Sequence, residues 1–171
     1  LSEKNLDEFF AMIKDTIKRS GNQSAYPSEI YLRKLVTTTL LQKDTSDKKL
    51  LSLKIFFGYD HGVPAAVHVV LFFADTATYL YGATYTDKLS SKVTTYLNWV
   101  AIIFAKEHGY SYYDLGAIDE QKWPTITKYK RQFHGTEFSY IGNIDIILRS
   151  RFYQLYNFIK RIRGIAILQS G

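Results

Sequence analysis

The sequence predicts an α+β architecture, a mixed β-sheet with helices on both faces, and three observations carry that expectation. Apolar periodicity switches between helical and strand-like spacing in the order α-α-β-β-β-α-β-α-β-α. The second and third strand segments are joined only by the short stretch "ADT", which calls for an antiparallel pair. A long helix separates the third and fourth strands, and a helical crossover is what a parallel pair needs.

Each element has its own signal. Residues 2–19 place Leu6, Phe9, Phe10, Ile13 and Ile17 on one helical face, with Ser2 as cap and Gly21 after the end. A second helix is expected over 28–41, beginning at Ser28 after Pro27. The polar stretch "LLQKDTSDKK" connects it to strands over 50–59, 65–74 and 77–85. The middle strand is nearly continuous in apolar residues, which suits a central position. Ser90 or Ser91 should cap a long helix reaching about residue 108, with Val93, Tyr96, Leu97, Val100 and Phe104 as its stripe and Gly109 as its stop. A short strand over 110–116, a helix over 124–133 after Pro124, and a strand over 136–148 follow. A basic helix closes the chain over 149–162, its Phe152, Leu155, Tyr156, Ile159 and Ile162 facing inward.

The length of 171 residues suits one domain with a sizeable core. There is no Cys, which removes disulfides, thiolate nucleophiles and cysteine metal sites. The four His are scattered, without metal-ligand spacing, so neither metal nor cofactor is expected. His68, inside an apolar strand, reads as a hydrogen-bonded core residue. No apolar run reaches the roughly 20 residues of a membrane span. The chain opens on Leu1, not Met, which fits a fragment of a longer protein.

Net charge is +6, and it is unevenly placed. Between Lys122 and Arg163 stand nine Lys and Arg against Glu137 and Asp145, so this stretch carries more than the whole excess. That pattern favours an anionic partner: nucleic acid, a nucleotide-linked substrate or a membrane surface. The densest part is "TKYKRQFHG", residues 127–135.

Four stretches in order carry a family resemblance: "YLYGATYTDKL", "LNWVAIIFAKEHGYSYYDLGAID", "ITKYKRQFHGTEFSYIGNIDIIL" and "RSRFYQLYNFIKRIR". From about Phe9 to Arg163 the chain resembles the Fem-type (FemABX) aminoacyltransferases of bacterial cell-wall synthesis. The resemblance implies the GCN5-related N-acyltransferase fold. It implies aminoacyl-tRNA as donor, an amine of a nucleotide- or lipid-linked peptidoglycan precursor as acceptor, a cytoplasmic location and possible peripheral membrane contact. Full members generally carry two such domains. This chain is similar to the second, so a preceding domain is expected in the parent protein, and activity need not reside in the isolated domain.

An acyl-CoA user of that fold has a Q/R-x-x-G-x-G/A loop before the long helix, where backbone N–H groups cradle pyrophosphate. Here the place reads "YTDKLSSKVTTY", without Gly or Arg. That argues for another activated acyl donor.

Aminoacyl transfer is attack of a neutral amine on an ester, with an oxyanion in the transition state. The resemblance assigns Lys130, the lysine of the family's aromatic–Lys motif, to contact the acyl-tRNA end and stabilise that negative charge. Tyr129 would wall the site and stack on the terminal adenine. Arg131 and Lys128 would attract phosphate or remain solvated. Asp114, ahead of Gly116, could take or orient the proton of the attacking ammonium, or simply bond loop amides. Tyr81 and Tyr85 could face the cleft or pack. Two other readings stay open: an N-acyltransferase of the same fold with another donor, acting on an amino sugar of a surface polysaccharide, and a non-catalytic module binding RNA or an anionic glycan.

Overall fold

A computed structural model of the chain describes residues 3–21, 26–40, 51–139 and 146–169, with side chains for all of these except 3–4, 39–40 and 163–169. The chain divides into two compact units, 1–133 and 134–171.

The first unit holds a four-stranded sheet in the order β1-β2-β3-β4. β1 (Ser52–Asp60), β2 (Val63–Phe73) and β3 (Thr76–Thr84) form the expected antiparallel meander, and β4 (Tyr112–Asp114) runs parallel to β3. Side-chain alternation sorts β2 into two faces. Val67 and Val69 meet Phe9, Phe10, Met12 and Ile13 of α1 (Glu3–Ser20), and Leu32 and Val36 of α2 (Glu29–Leu40). Val70 and Phe72 meet Ala101 and Ala105 of α3 (Val93–Glu107), with Phe104 beside them. Each large apolar side chain taken out of water here contributes roughly 1.5–3 kcal/mol.

Local chemistry sets the helix ends. Ser28 starts α2: its Oγ accepts the Tyr31 N–H at 3.3 Å and its carbonyl the Leu32 N–H at 3.0 Å. Gly109, with φ of +74°, closes α3 in the left-handed region and donates to the Lys106 carbonyl. The start of α3 differs from expectation. Ser90 and Ser91 belong to a preceding 3-10 helix (Thr86–Ser91), and Lys92, at φ +62°, is the capping residue. Ser91 Oγ donates to the Lys88 carbonyl at 2.7 Å and meets the Val93 N–H only at 3.4 Å, so the serine is occupied by the turn before the helix.

The buried stripe of α3 also differs. It is Leu97, Asn98, Ala101 and Ala105, while Tyr96 and Trp99 are exposed. Two small alanines let the helix lie close to the sheet, and that choice turns the larger aromatics outward. Gly58 in β1 is part of the same close approach: a Cβ there would sit 2.4 Å from Val93 Cγ1.

α4 (Pro124–Arg131) stands where expected. The strand expected over 136–148 is not formed at 136–139 or 146–148, and 140–145 lie outside the described residues, as does Ser2. In the second unit, α5 (Ser150–Gln169) carries Phe152, Leu155, Tyr156, Ile159 and Ile162 exposed rather than inward. Helical spacing puts those residues on one face but does not determine what covers it.

Gly82 of β3 sits where no side chain fits. A Cβ there would fall 1.9 Å from Tyr79 Oη and 3.0 Å from His68 Cδ2. Gly82→Ala should therefore cost about 1–3 kcal/mol by overpacking. Urea unfolding should also show that Tyr79→Leu in the same chain recovers part of the loss.

Candidate functional site

The site is built by one irregularity in β3. Val69 pairs with Tyr81 and Val70 with Tyr79, so Leu80 is an extra residue, a β-bulge. Before the bulge, Tyr79 shares the α3 face of the sheet: its ring meets the His68 ring edge-on at 4.9 Å. Beyond it the phase is inverted. Tyr81 packs with the α1–α2 cluster and lies 6.2 Å from the Tyr26 ring. Tyr85 packs there too, and its hydroxyl donates to Glu8 Oε1 at 2.6 Å. Burial, with the Glu8 carboxylate beside it, pushes the Tyr85 phenol up to about 12. Tyr81 and Tyr85 thus stand apart from Lys130.

β3 and β4 then part. They pair only over Thr76–Thr78 and Tyr112–Asp114. β3 runs on to Thr84, whereas the chain after Asp114 turns at Gly116 with φ of +77°. Asp114 Oδ1 accepts the Gly116 N–H at 2.7 Å, so this carboxylate does bond a loop amide.

Lys130 reaches this parting from α4. Its Nζ donates to the Ala117 carbonyl at 2.7 Å and lies 6.0 Å from the Tyr79 ring centre. A Cβ at Gly116 would be 3.4 Å from both Lys130 Nζ and the Tyr79 carbonyl, so the glycine leaves room for the ammonium. Half-burial holds the Lys130 pKa below the ordinary lysine value, and the negative charge of Asp114 opposes that shift. The structure therefore brings Lys130 and Asp114 into one electrostatic environment, with Tyr79 as its floor.

The neighbouring residues have other partners. Tyr129 is half-buried; its hydroxyl donates to the Thr94 carbonyl at 3.3 Å and its ring meets Phe133 edge-on at 5.5 Å. Arg131 forms an ion pair with Glu120. Lys128 is exposed.

Several contributors escaped sequence reasoning. Thr127, buried on α4, accepts the Asp119 N–H at 3.0 Å and so ties the 115–123 loop to the helix that carries Lys130. Asp119 Oδ1 in turn accepts the Gln121 and Lys122 N–H groups, each at 2.9 Å. Asn98 is buried on α3 and accepts the Tyr113 hydroxyl at 2.9 Å. The visible signal for Asn98 was a lone amide inside the apolar run "LNWVAIIFA". His68 is a core residue, but the expected hydrogen bonds are missing: neither ring nitrogen has a partner among the described residues. The ring it meets edge-on, that of Tyr79, offers its side-chain face and not a partner for those nitrogens.

A bulged β3, a crossover helix and a parallel β4 that diverges from β3 define the GCN5-related N-acyltransferase fold. Solved structures share it. A possible acetyltransferase from Clostridium difficile 630 superposes with a TM-score of 0.60 at 13% identity, over 85% of this chain and 95% of that one. An aminoglycoside acetyltransferase from an uncultured soil metagenomic sample, solved with sisomicin, gives 0.56 at 14%, over 87% and 93%. A transcriptional regulator from Bacillus halodurans C-125 gives 0.55 at 16%, over 85% and 95%. At such identities the likeness is one of fold. No curated protein matches the chain. The chain belongs to the FemAB family, whose model matches residues 3–161. The resemblance and the fold class expected from the sequence are both borne out. Among the described residues no helix is long and apolar enough to cross a membrane.

His68 supplies a prediction for stability. Burial drops its pKa from 6.5 to about 3. The folded state then binds fewer protons than the unfolded one between those values, so stability is intact above about 6.5 and is lost as pH falls toward about 3. Urea midpoints across that range should fall steeply in the parent chain, and His68→Leu should flatten the slope.

Proposed function

We propose that this chain is the acyl-transfer domain of an aminoacyltransferase that takes its acyl group from aminoacyl-tRNA and passes it to an amine of a peptidoglycan precursor. The observation that carries this reading is the Lys130 ammonium, half-buried where β3 and β4 part and set near Asp114. An ammonium has three donors, and the Ala117 carbonyl takes one. The remaining donors suit an oxyanion forming beside the parted strands, in surroundings drier than bulk water.

In this reading the amine lone pair forms the new C–N bond at the ester carbonyl, whose electrons move onto oxygen beside Lys130. Asp114 orients the amine and accepts its proton. The C–O bond to the ribose then breaks, and the leaving alkoxide takes that proton. The peptide carbonyl re-forms, and no covalent enzyme intermediate is needed. Arg131 is neutralised by Glu120, so it serves less well than Lys130 as the group at the reaction centre. The cations of α5, Arg151, Lys160 and Arg161, stand in a helix without acids and suit tRNA phosphates or an anionic membrane surface.

A transfer from acyl-CoA to an amino sugar is the second reading, because acetyltransferases share the fold. The start of α3 favours the first. The chain enters it through a 3-10 turn and a left-handed lysine, with no glycine-rich cradle for pyrophosphate.

A donor screen on the parent protein separates the two. Transfer from charged tRNA, with none from acyl-CoA, is expected. Lys130→Ala should lower kcat about 10²- to 10³-fold, the scale of losing one oxyanion donor, and Lys130→Arg should retain part of the rate. Transfer from acyl-CoA alone would favour the second reading. Full activity of Lys130→Ala would remove the lysine from the mechanism.

A further inference from the structure

Thr127 is the buried residue of α4, 1% exposed. A hydroxyl in such a place costs free energy unless it is hydrogen-bonded, and a valine would fill much the same shape without that cost. Its Oγ1 accepts the Asp119 N–H at 3.0 Å. That bond closes a ring around the site. Asp114 Oδ1 holds the Gly116 N–H at 2.7 Å at one end of the segment, and Thr127 holds Asp119 at the other. Between them the Ala117 carbonyl accepts Lys130 Nζ at 2.7 Å. Lys130 stands three residues after Thr127, on the same side of the helix.

Other bonds of Asp119 stay within its own turn. Its Oδ1 accepts the Gln121 and Lys122 N–H groups, and its carbonyl accepts the Trp123 N–H at 2.8 Å. They shape the turn without carrying it across to Lys130. The Arg131–Glu120 ion pair does cross to α4, but both side chains are exposed, and such pairs add little. The bond to Thr127 ends on a buried side chain, so removing the hydroxyl leaves the Asp119 N–H unpaired at a half-buried place.

We propose that Thr127 is a positioning residue: its hydroxyl pins the 115–119 segment to α4 and so fixes where the Ala117 carbonyl meets the Lys130 ammonium. This rests on the reading of Lys130 given above. Thr127, buried, touches neither the acyl donor nor the amine. Without the bond the segment moves off the helix, the ammonium loses its acceptor, and Lys130 turns out to water.

The test reads the segment and Lys130 separately from activity. Thr127→Val removes the acceptor, and Thr127→Ser keeps it while losing a methyl group. Amide exchange at Asp119 should be about 10-fold faster in Thr127→Val, the scale of one lost hydrogen bond, and unchanged in Thr127→Ser. With ¹³C-labelled lysine, Lys130→Arg identifies the Lys130 signal by its loss. Half-burial holds that lysine below the ordinary value, so its titration should move up in Thr127→Val and stay in place in Thr127→Ser. In the parent protein Thr127→Val should lose kcat about 10²-fold, the scale of a displacement near 1 Å, with KM for the donor little changed. Thr127→Ser should keep most of the rate. A merely structural role predicts that both variants unfold more easily with the Lys130 titration and kcat untouched, and that result overturns the proposal. If Thr127→Val does not fold, Thr127→Cys takes its place, since a thiol is a weak acceptor. Should Lys130→Ala prove fully active, the catalytic reading fails, and the Lys130 titration by itself supports or overturns the role of Thr127.

Discussion

One extra residue in β3 governs the arrangement of everything near the site. Leu80 interrupts the pairing with β2, and the strand changes phase around it. Tyr79 is thereby left on the α3 face against His68, and Tyr81 and Ala83 are sent to the α1–α2 core. A continuous β3 would put Tyr81 on the Tyr79 face and turn Gly82 away. The bulge is fixed from both sides of the sheet. The Tyr26 hydroxyl donates to the Gly82 carbonyl at 2.5 Å, and the Thr84 hydroxyl meets that of Thr94 on α3 at 2.7 Å. Arg19 adds a bond to the Thr84 carbonyl at 2.9 Å. The strand end is thus tied to helices on both faces, and the irregularity is held in place by packing and polar contacts together.

The parting of β3 and β4 follows from the short reach of β4, and it leaves a polar interior that has to be satisfied. Burial raises the phenols of Tyr79, Tyr113 and Tyr129, so all three are neutral near pH 7 and can act as donors. The Asn98 amide oxygen accepts the Tyr113 hydroxyl, and the Thr94 carbonyl accepts that of Tyr129. Lys130 is the one cation drawn into these surroundings from the run "TKYKRQFHG". Its neighbours on that run are spent on Glu120 or exposed to solvent. Burial works against its charge and Asp114 works for it. Half out of bulk water, such a group helps a developing oxyanion more than a fully hydrated one would.

Much of the fold was legible because apolar periodicity and short connections decide strand order. The meander, the crossover helix and the parallel β4 all follow from spacing alone. The phase change at Leu80 was not legible, since "ATYLYGATY" alternates no differently from a regular strand, and so the facing of Tyr81 and Tyr85 was left open. The stripe of α3 misled for a related reason. Size and hydrophobicity point to Tyr96 and Val100, but close packing on a sheet selects Ala101 and Ala105. Lys130 was singled out by the family motif, and Asp114 by its place at the end of a short strand ahead of Gly116. Asn98, Thr127 and Tyr79 were not, because their roles depend on partners 8 or more positions away that only the fold brings together. His68 was read correctly as core, and its unpaired nitrogens depend on what surrounds it, which no local pattern records.

The central claim is that the acyl carbonyl sits at the parting of β3 and β4, under the Lys130 ammonium. A structure of the protein with an aminoacyl-nucleotide mimic of the tRNA 3′ end, its ester replaced by an amide, tests this most directly. The acyl oxygen is expected within hydrogen-bond distance of Lys130 Nζ, with the α-carbon beyond it toward Tyr79. A mimic bound elsewhere on the sheet, with Lys130 still turned only to the Ala117 carbonyl, would contradict the account.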